Sequence, residues 1–154
     1  FAAQASTANV ELPLPISIPA DYVPDQNMRL GIYRRMAEMR SEHELDALVE
    51  EFSDRFGPPP IMVHNLFFHL KAKLLAEKAG LAAVMIESGQ IALRYPENLV
   101  PENLTSLSVL NELVRVGKTT LWIPFAGTTD WPERLVNVLG LLCHYKEIEK
   151  EVVR

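Results

Sequence analysis

The stretch Gly57-Pro58-Pro59-Pro60 constrains the fold of this chain more than any other. Three consecutive prolines remove three backbone donors and hold φ at about −65°, so neither a helix nor a sheet ladder runs through them. The glycine ahead of them takes the left-handed conformation that closes a helix. A helix therefore ends here, and its start is equally marked. Ser41 and Glu44 have the spacing of a capping box, in which each side chain satisfies a backbone donor at the other's position. Between these signals Leu45, Leu48, Val49, Phe52 and Phe56 recur at helical spacing and define one buried face.

The outer face of this helix is acidic. Glu42, Asp46, Glu50 and Asp54 sit four residues apart, with Glu44 and Glu51 nearby and no Lys or Arg between Ser41 and Asp54. Like charges at that spacing each cost an isolated helix about 0.2–0.5 kcal/mol. Near the C-terminus they also oppose the helix dipole. Two readings stand: a solvated face, or a docking surface for a basic partner. Glu51, Asp54 and Arg55 cluster at i, i+3 and i+4, where Arg55 adds the capacity for a bidentate contact.

Upstream, a helix is predicted to start after Pro24, with Asp25 or Asn27 as its N-cap. Met28, Ile32, Met36 and Met39 share a narrow arc on it, with Tyr33 and Ala37 beside them. Arg29 falls on that apolar side, whereas Arg34 and Arg35 point elsewhere. An arginine on the core side needs a carboxylate or several carbonyls, and Asp21 and Asp25 are the nearest candidates. Arg29 reads as a structural clamp on the corner. Before it, Val10, Leu12, Leu14, Ile16 and Ile18 alternate as in a half-buried strand. Pro13, Pro15 and Pro19 restrict that segment to an edge strand or an extended strap laid over the domain.

Downstream, Ile61 to Ala79 is apolar on most sides and predicts the central buried helix, ended by Gly80. Ser88-Gly89 between two β-rich arms, Leu81 to Glu87 and Gln90 to Tyr95, predicts a hairpin. Pro96 to Pro101 reads as a loop. A helix is expected over 102–116, carrying Leu104, Leu107, Leu110 and Val114 and stopped by Gly117. Lys118 to Phe125 reads as a strand. Asp130 is expected to cap a last helix, with Leu135, Val138, Leu139 and Leu142 as its buried face. No internal repeat is visible. Together these segments predict an α+β fold: a small mixed or antiparallel sheet flanked by about five helices, with the proline-rich strap at its start. Residues 1–9 read as a linker and 10–154 as one domain, enough chain to bury roughly 70% of its unfolded surface.

Catalytic chemistry finds little support. Gly117-Lys118-Thr119 resembles the end of a phosphate-binding loop, but Glu112 stands where that loop needs glycine, and the expected order, helix then strand, is inverted. His43, His64, His69 and His144 have no metal-ligand spacing. Cys143 and His144 are helix neighbours that diverge by about 100°, not a nucleophile and its base. Trp122 and Trp131 read as core anchors, since no basic groove accompanies them. A net charge of −5 with scattered basic residues argues against nucleic acid as the main partner. The lone cysteine fits a reducing, cytoplasmic setting. Phe1 to Ala5 has neither the basic nor the apolar region of a signal peptide, and Ile61 to Leu75 is too interrupted by polar residues to span a membrane. Without an initial methionine, and ending at Val153-Arg154, the chain reads as a fragment of something longer.

Residues 10 to 80 resemble the C-terminal domain of bacterial transcription-repair coupling factors. The resemblance is carried by Asp21-Tyr22-Val23-Pro24-Asp25, Asn27-Met28-Arg29-Leu30, Tyr33-Arg34-Arg35, Glu44-Leu45, and Asp54-Arg55-Phe56-Gly57 with Pro60. It implies a non-catalytic, cofactor-free module of a large ATP-dependent DNA translocase that removes stalled RNA polymerase and recruits excision repair. In that family the domain docks in cis on an N-terminal UvrB-like module, masks its UvrA-binding surface and holds the protein closed. The family's interdomain contact maps onto Glu51, Asp54 and Arg55, with Glu50 beside them, while Asp25, Arg29, Tyr33, Phe56 and Gly57 fall to architecture. RNA polymerase, UvrA and DNA are then partners of the parent protein, with no direct nucleic-acid or membrane contact by this domain. The competing readings are a nucleic-acid-binding module and a free-standing adaptor.

Overall fold

A computed structural model describes residues 7–102, 104 and 114–152. Among these residues the chain forms β1 (Asn9–Val10), α1 (Gln26–Glu38), α2 (Glu42–Phe56), α3 (Ile61–Ala79), β2 (Ala83–Glu87) and β3 (Gln90–Arg94). A short 3-10 turn (Glu97–Leu99) follows, then β4 (Arg115–Val116), β5 (Thr120–Pro124) and α4 (Trp131–Val152). The class is α+β, as expected. Two compact units are present: one is Pro13–Leu74, and the other comprises residues up to Leu12 together with those from Leu75 onward.

In the Pro13–Leu74 unit the core is built from the inward faces of α1, α2 and α3. Leu48, Phe52 and Val63 are fully enclosed, and Ile32, Met36, Leu45, Leu66, Phe67 and Leu70 pack around them. Phe52 is the hub. Its ring meets Phe56 at 5.6 Å and Phe67 at 5.3 Å, both edge-on, and Tyr22 at 6.1 Å. Edge-on geometry sets the positive rim of one ring against the negative face of the next and adds to the burial itself. Val23, fully buried, brings in the segment before α1. Residues 11–19 carry no regular secondary structure, although Ile18 is buried and Ile16 is exposed.

The other unit is a five-stranded mixed sheet in the order β1-β2-β3-β5-β4, with β1 parallel to β2 and every other pairing antiparallel. The register places Val84, Leu93 and Leu121 in one cross-strand row and Ile86, Ile91 and Ile123 in the next. Side chains alternate between faces along a strand, so these rows share one face. α4 packs against the sheet at β5, burying Leu135, Val138, Leu139 and Leu142 as its spacing predicts. The β2–β3 turn is the expected Ser88-Gly89, with φ of 49° and 75°. Two successive positive φ values match the twist of a hairpin, which is why glycine stands at the second position.

The sequence expectation fails at residues 115–117. Most of the helix expected over 102–116 lies outside the described residues, but its last two positions are strand β4, antiparallel to β5. Gly117-Lys118-Thr119 therefore joins strand to strand, not helix to strand. Pairing with β5 favours the strand: Val116 lies opposite Leu121, and Arg115 lies opposite Trp122 with its guanidinium 4.2 Å above the ring. Arg115 also donates to Gln90 Oε1 at 2.9 Å. A side chain at Gly117 would meet Trp122 at 2.7 Å, so only glycine fits the turn beside that ring.

Phe52→Ala is predicted to remove about 3–5 kcal/mol from the stability of the Pro13–Leu74 unit, measured by urea unfolding. A loss under about 1 kcal/mol would mean that the ring is not the enclosed hub described.

Candidate docking surface

The surface is carried by an antiparallel helix pair. Asp25 starts α1 by accepting hydrogen bonds from the backbone N–H groups of Asn27 (2.9 Å) and Met28 (3.2 Å), which settles the N-cap on Asp25. Arg29, the expected clamp, finds carbonyls and not a carboxylate: its Nη1 donates to Val23 O at 2.6 Å and Pro24 O at 3.1 Å. Neither Asp21 nor Asp25 takes it. Two carbonyls suffice because Arg29 is only half-buried and its charge keeps water contact. Tyr33 Oη accepts from the Ile18 N–H at 2.7 Å, tying the preceding segment to α1.

Residues 39–41 turn the chain into α2. Ser41 Oγ accepts from the Glu44 N–H at 3.3 Å, and Glu44 Oε1 accepts from the Arg40 N–H and the Ser41 hydroxyl, both at 3.4 Å. At the far end Gly57 has φ of 83°, and its N–H bonds to Ser53 O. The Tyr22 hydroxyl donates to Gly57 O at 2.8 Å, with Phe52 O at 3.3 Å. A tyrosine from before α1 thus ties down the carbonyl of the residue that ends α2. Burial raises the pKa of that phenol. Tyr22 was only a motif residue in the sequence, and no spacing announces this contact.

The acidic cluster divides into two parts. Glu51 is bound bidentately by Arg35, through Nη2 to Oε1 at 2.9 Å and Nη1 to Oε2 at 3.1 Å. Arg55 Nη1 reaches the same Oε2 at 3.3 Å. Hydrogen bonding from Arg35 foremost holds the Glu51 carboxyl below the usual carboxylate range; burial opposes it, and the charge of Arg35 and then the contacts of Arg55 add to the lowering. Arg55 is further placed by Met28 Sδ, 3.6 Å from Nη2, and by the Phe56 ring, whose centroid lies 5.1 Å from its guanidinium. Glu50 and Asp54 are exposed and have no hydrogen bond or ion pair with any described residue. The structure therefore brings Glu51 and Arg55 together and leaves Asp54 and Glu50 facing solvent. Arg35 was missed in the sequence because its pairing depends on how α1 lies against α2.

Among the described residues no group of three or more His, Cys, Asp or Glu side chains is placed to hold a metal, and no helix is long and apolar enough to cross a membrane.

Comparison with known proteins gives the following. A family model described as the TRCF domain matches residues 12–103. The transcription-repair-coupling factor of Haemophilus influenzae is 43% identical over 82 residues, covering 53% of this chain and 7% of that protein. That of Escherichia coli is 38% identical over 72 residues, 47% of this chain and 6% of the protein. That of Rickettsia prowazekii is 34% identical over 95 residues, 62% and 8% respectively. The matches thus span less than a tenth of these curated relatives. A crystal structure of the C-terminal domain of transcription-repair coupling factor superposes with a TM-score of 0.77 at 21% identity. It covers 92% of this chain and 96% of that one, and shows the same fold.

The sign of the Glu51 shift predicts a pH dependence. A carboxylate whose folded pKa is depressed stabilises the fold above its unfolded pKa and loses that contribution as pH falls through the folded value. The Glu51→Gln penalty in urea unfolding should be full near neutral pH and should vanish as pH drops below the ordinary 4.5. A penalty equal at about pH 7 and about pH 3 rules out the Glu51 carboxylate as its source.

Proposed function

This chain belongs to the TRCF domain family, and we propose that it acts as the regulatory docking domain of a transcription-repair coupling factor, without catalytic chemistry of its own. Residues 10–154 are proposed to form that domain. The observation that carries the reading is the face of α2, where Glu50, Asp54 and the outer donors of Arg55 lie exposed beside a fixed Glu51. Isolated exposed acids at i, i+4 spacing weaken a helix, so a face that collects them is better suited to meeting a cationic surface than to stabilising its own fold.

On this reading the partner is in cis: an arginine-bearing face of the N-terminal UvrB-like module. Docking there covers the surface that binds UvrA and keeps the DNA translocase closed. The control is a population shift. Charge-assisted hydrogen bonds favour the closed state by a few kcal/mol, and engagement of the motor with RNA polymerase and DNA releases it. The polymerase, UvrA and DNA contacts then belong to the parent protein, which works in the cytoplasm.

Replacing Glu51, Asp54 and Arg55 together with alanine in the full-length protein should leave this domain folded. UvrA affinity should rise about tenfold or more, with higher ATPase activity. Unchanged UvrA affinity and ATPase would remove the latch. The competing nucleic-acid-binding reading makes the opposite demand. The chain itself should show no ATPase and no DNA binding at physiological salt, and tight binding with a steep salt slope would favour that reading instead.

A further inference from the structure

The docking face contains one residue whose role the acidic pattern does not explain. Arg35 lies on α1, outside the cluster, and yet makes the best-formed polar contact on this surface: two parallel N–H···O bonds to Glu51, at 2.9 and 3.1 Å. A carboxylate engaged through both oxygens by one guanidinium fork keeps lone pairs for single bonds, but its bidentate seat is closed to a second fork. Arg55 takes what remains on Oε2 through a single bond. With Arg35 in the bidentate seat, Arg55 makes a single bond to Glu51 four residues back along the helix. It rests instead between Met28 Sδ and the Phe56 ring, with its other donors unpaired among the described residues.

We propose that Arg35 is a positioning residue. Its fork withdraws Glu51 from direct contact with the partner and holds Arg55 outward, so that Asp54 and Arg55 make the docking contacts themselves. The inference rests on the docking reading above and sharpens the chemistry of the partner. The surface is not simply acidic. It offers a carboxylate at Asp54 and a braced guanidinium at Arg55, which fits a face of the parent chain bearing a cation beside a carboxylate or a carbonyl.

Charge alone and positioning predict opposite signs. Removing Arg35 makes the face more negative by one charge, which on charge alone tightens docking to a cationic surface. Positioning predicts the reverse, because Glu51 is freed to capture Arg55. The test uses the full-length protein, with the open-to-closed ratio read by energy transfer between dyes on this domain and on the UvrB-like module. Arg35→Ala should raise that ratio about tenfold. Arg35→Lys, which keeps the charge but loses the fork, should raise it nearly as much. Arg35→Ala/Glu51→Gln should fall back toward the parent ratio, since a neutral Glu51 position no longer captures Arg55.

A lower ratio in Arg35→Ala, an unchanged ratio in Arg35→Lys, or a double variant as open as Arg35→Ala would each overturn the proposal. Asp54→Asn separates this failure from that of the docking reading. It should open the protein whatever Arg35 does, and no effect from it would remove the docking face and this inference together. Melting temperatures within about 4 °C of the parent would exclude misfolding, because an exposed ion pair contributes little to stability.

Discussion

The enclosure of the Phe52 ring sets everything that α2 presents to the outside. With Phe52 locked among Tyr22, Phe56 and Phe67, the helix cannot rotate about its axis. Successive residues then step by about 100°. Glu51 and Arg55 fall on one flank, which the contacts with Arg35 and Met28 identify as the side of α1. Glu50 and Asp54 fall nearly opposite Phe52 and face water. The polar surface is therefore a consequence of an apolar contact. A hub of interlocked rings tolerates no small rotation, because interiors are close-packed and respond to displacement as steeply as solids do.

Both ends of α2 reinforce the same setting. Ser41 and Glu44 bond each other's neighbourhood at the start, and at the finish the Tyr22 hydroxyl reaches Gly57 O. Tyr22 thus packs on the hub with its ring and closes the helix with its oxygen. The segment before α1, held by Tyr22, by buried Val23 and by the bonds from Arg29 to Val23 and Pro24, is bound to the hub from both of its chemical sides. This explains why architecture and surface lie so close in sequence between Asp21 and Gly57.

What could be read from sequence follows from the range of the forces involved. Ser41, Gly57, Ser88-Gly89 and Asp25 act on their own backbone within a few residues, and all four stand where their local chemistry puts them. The buried faces of α2 and α4 were legible for the same reason, since 3.6-residue periodicity is local. Arg35, Tyr22 and Arg115 were not legible. Each is defined by a partner at least 16 residues away or across a ladder, and nothing in its own neighbourhood marks the choice. The failure at Arg115 and Val116 is of this kind: apolar spacing favoured a helix, whereas the two residues pair with Trp122 and Leu121 across a ladder.

On the proposed docking reading, the chemistry of the α2 face suits a contact meant to be released. A latch built from apolar surface would be strong, insensitive to ionic conditions and difficult to reverse. One built from exposed charge contributes modestly per pair and weakens with salt, so differential binding elsewhere of a few kcal/mol is enough to open it. Such a contact risks being too weak and too indiscriminate, because exposed ion pairs lose side-chain entropy on forming. Bracing answers that cost. Arg55 is held by a carboxylate, a sulfur and a ring before any partner arrives, so less freedom remains to be lost on docking. On the proposed reading Arg35 completes the arrangement by keeping Glu51 occupied, and a weak electrostatic face gains direction without gaining permanence.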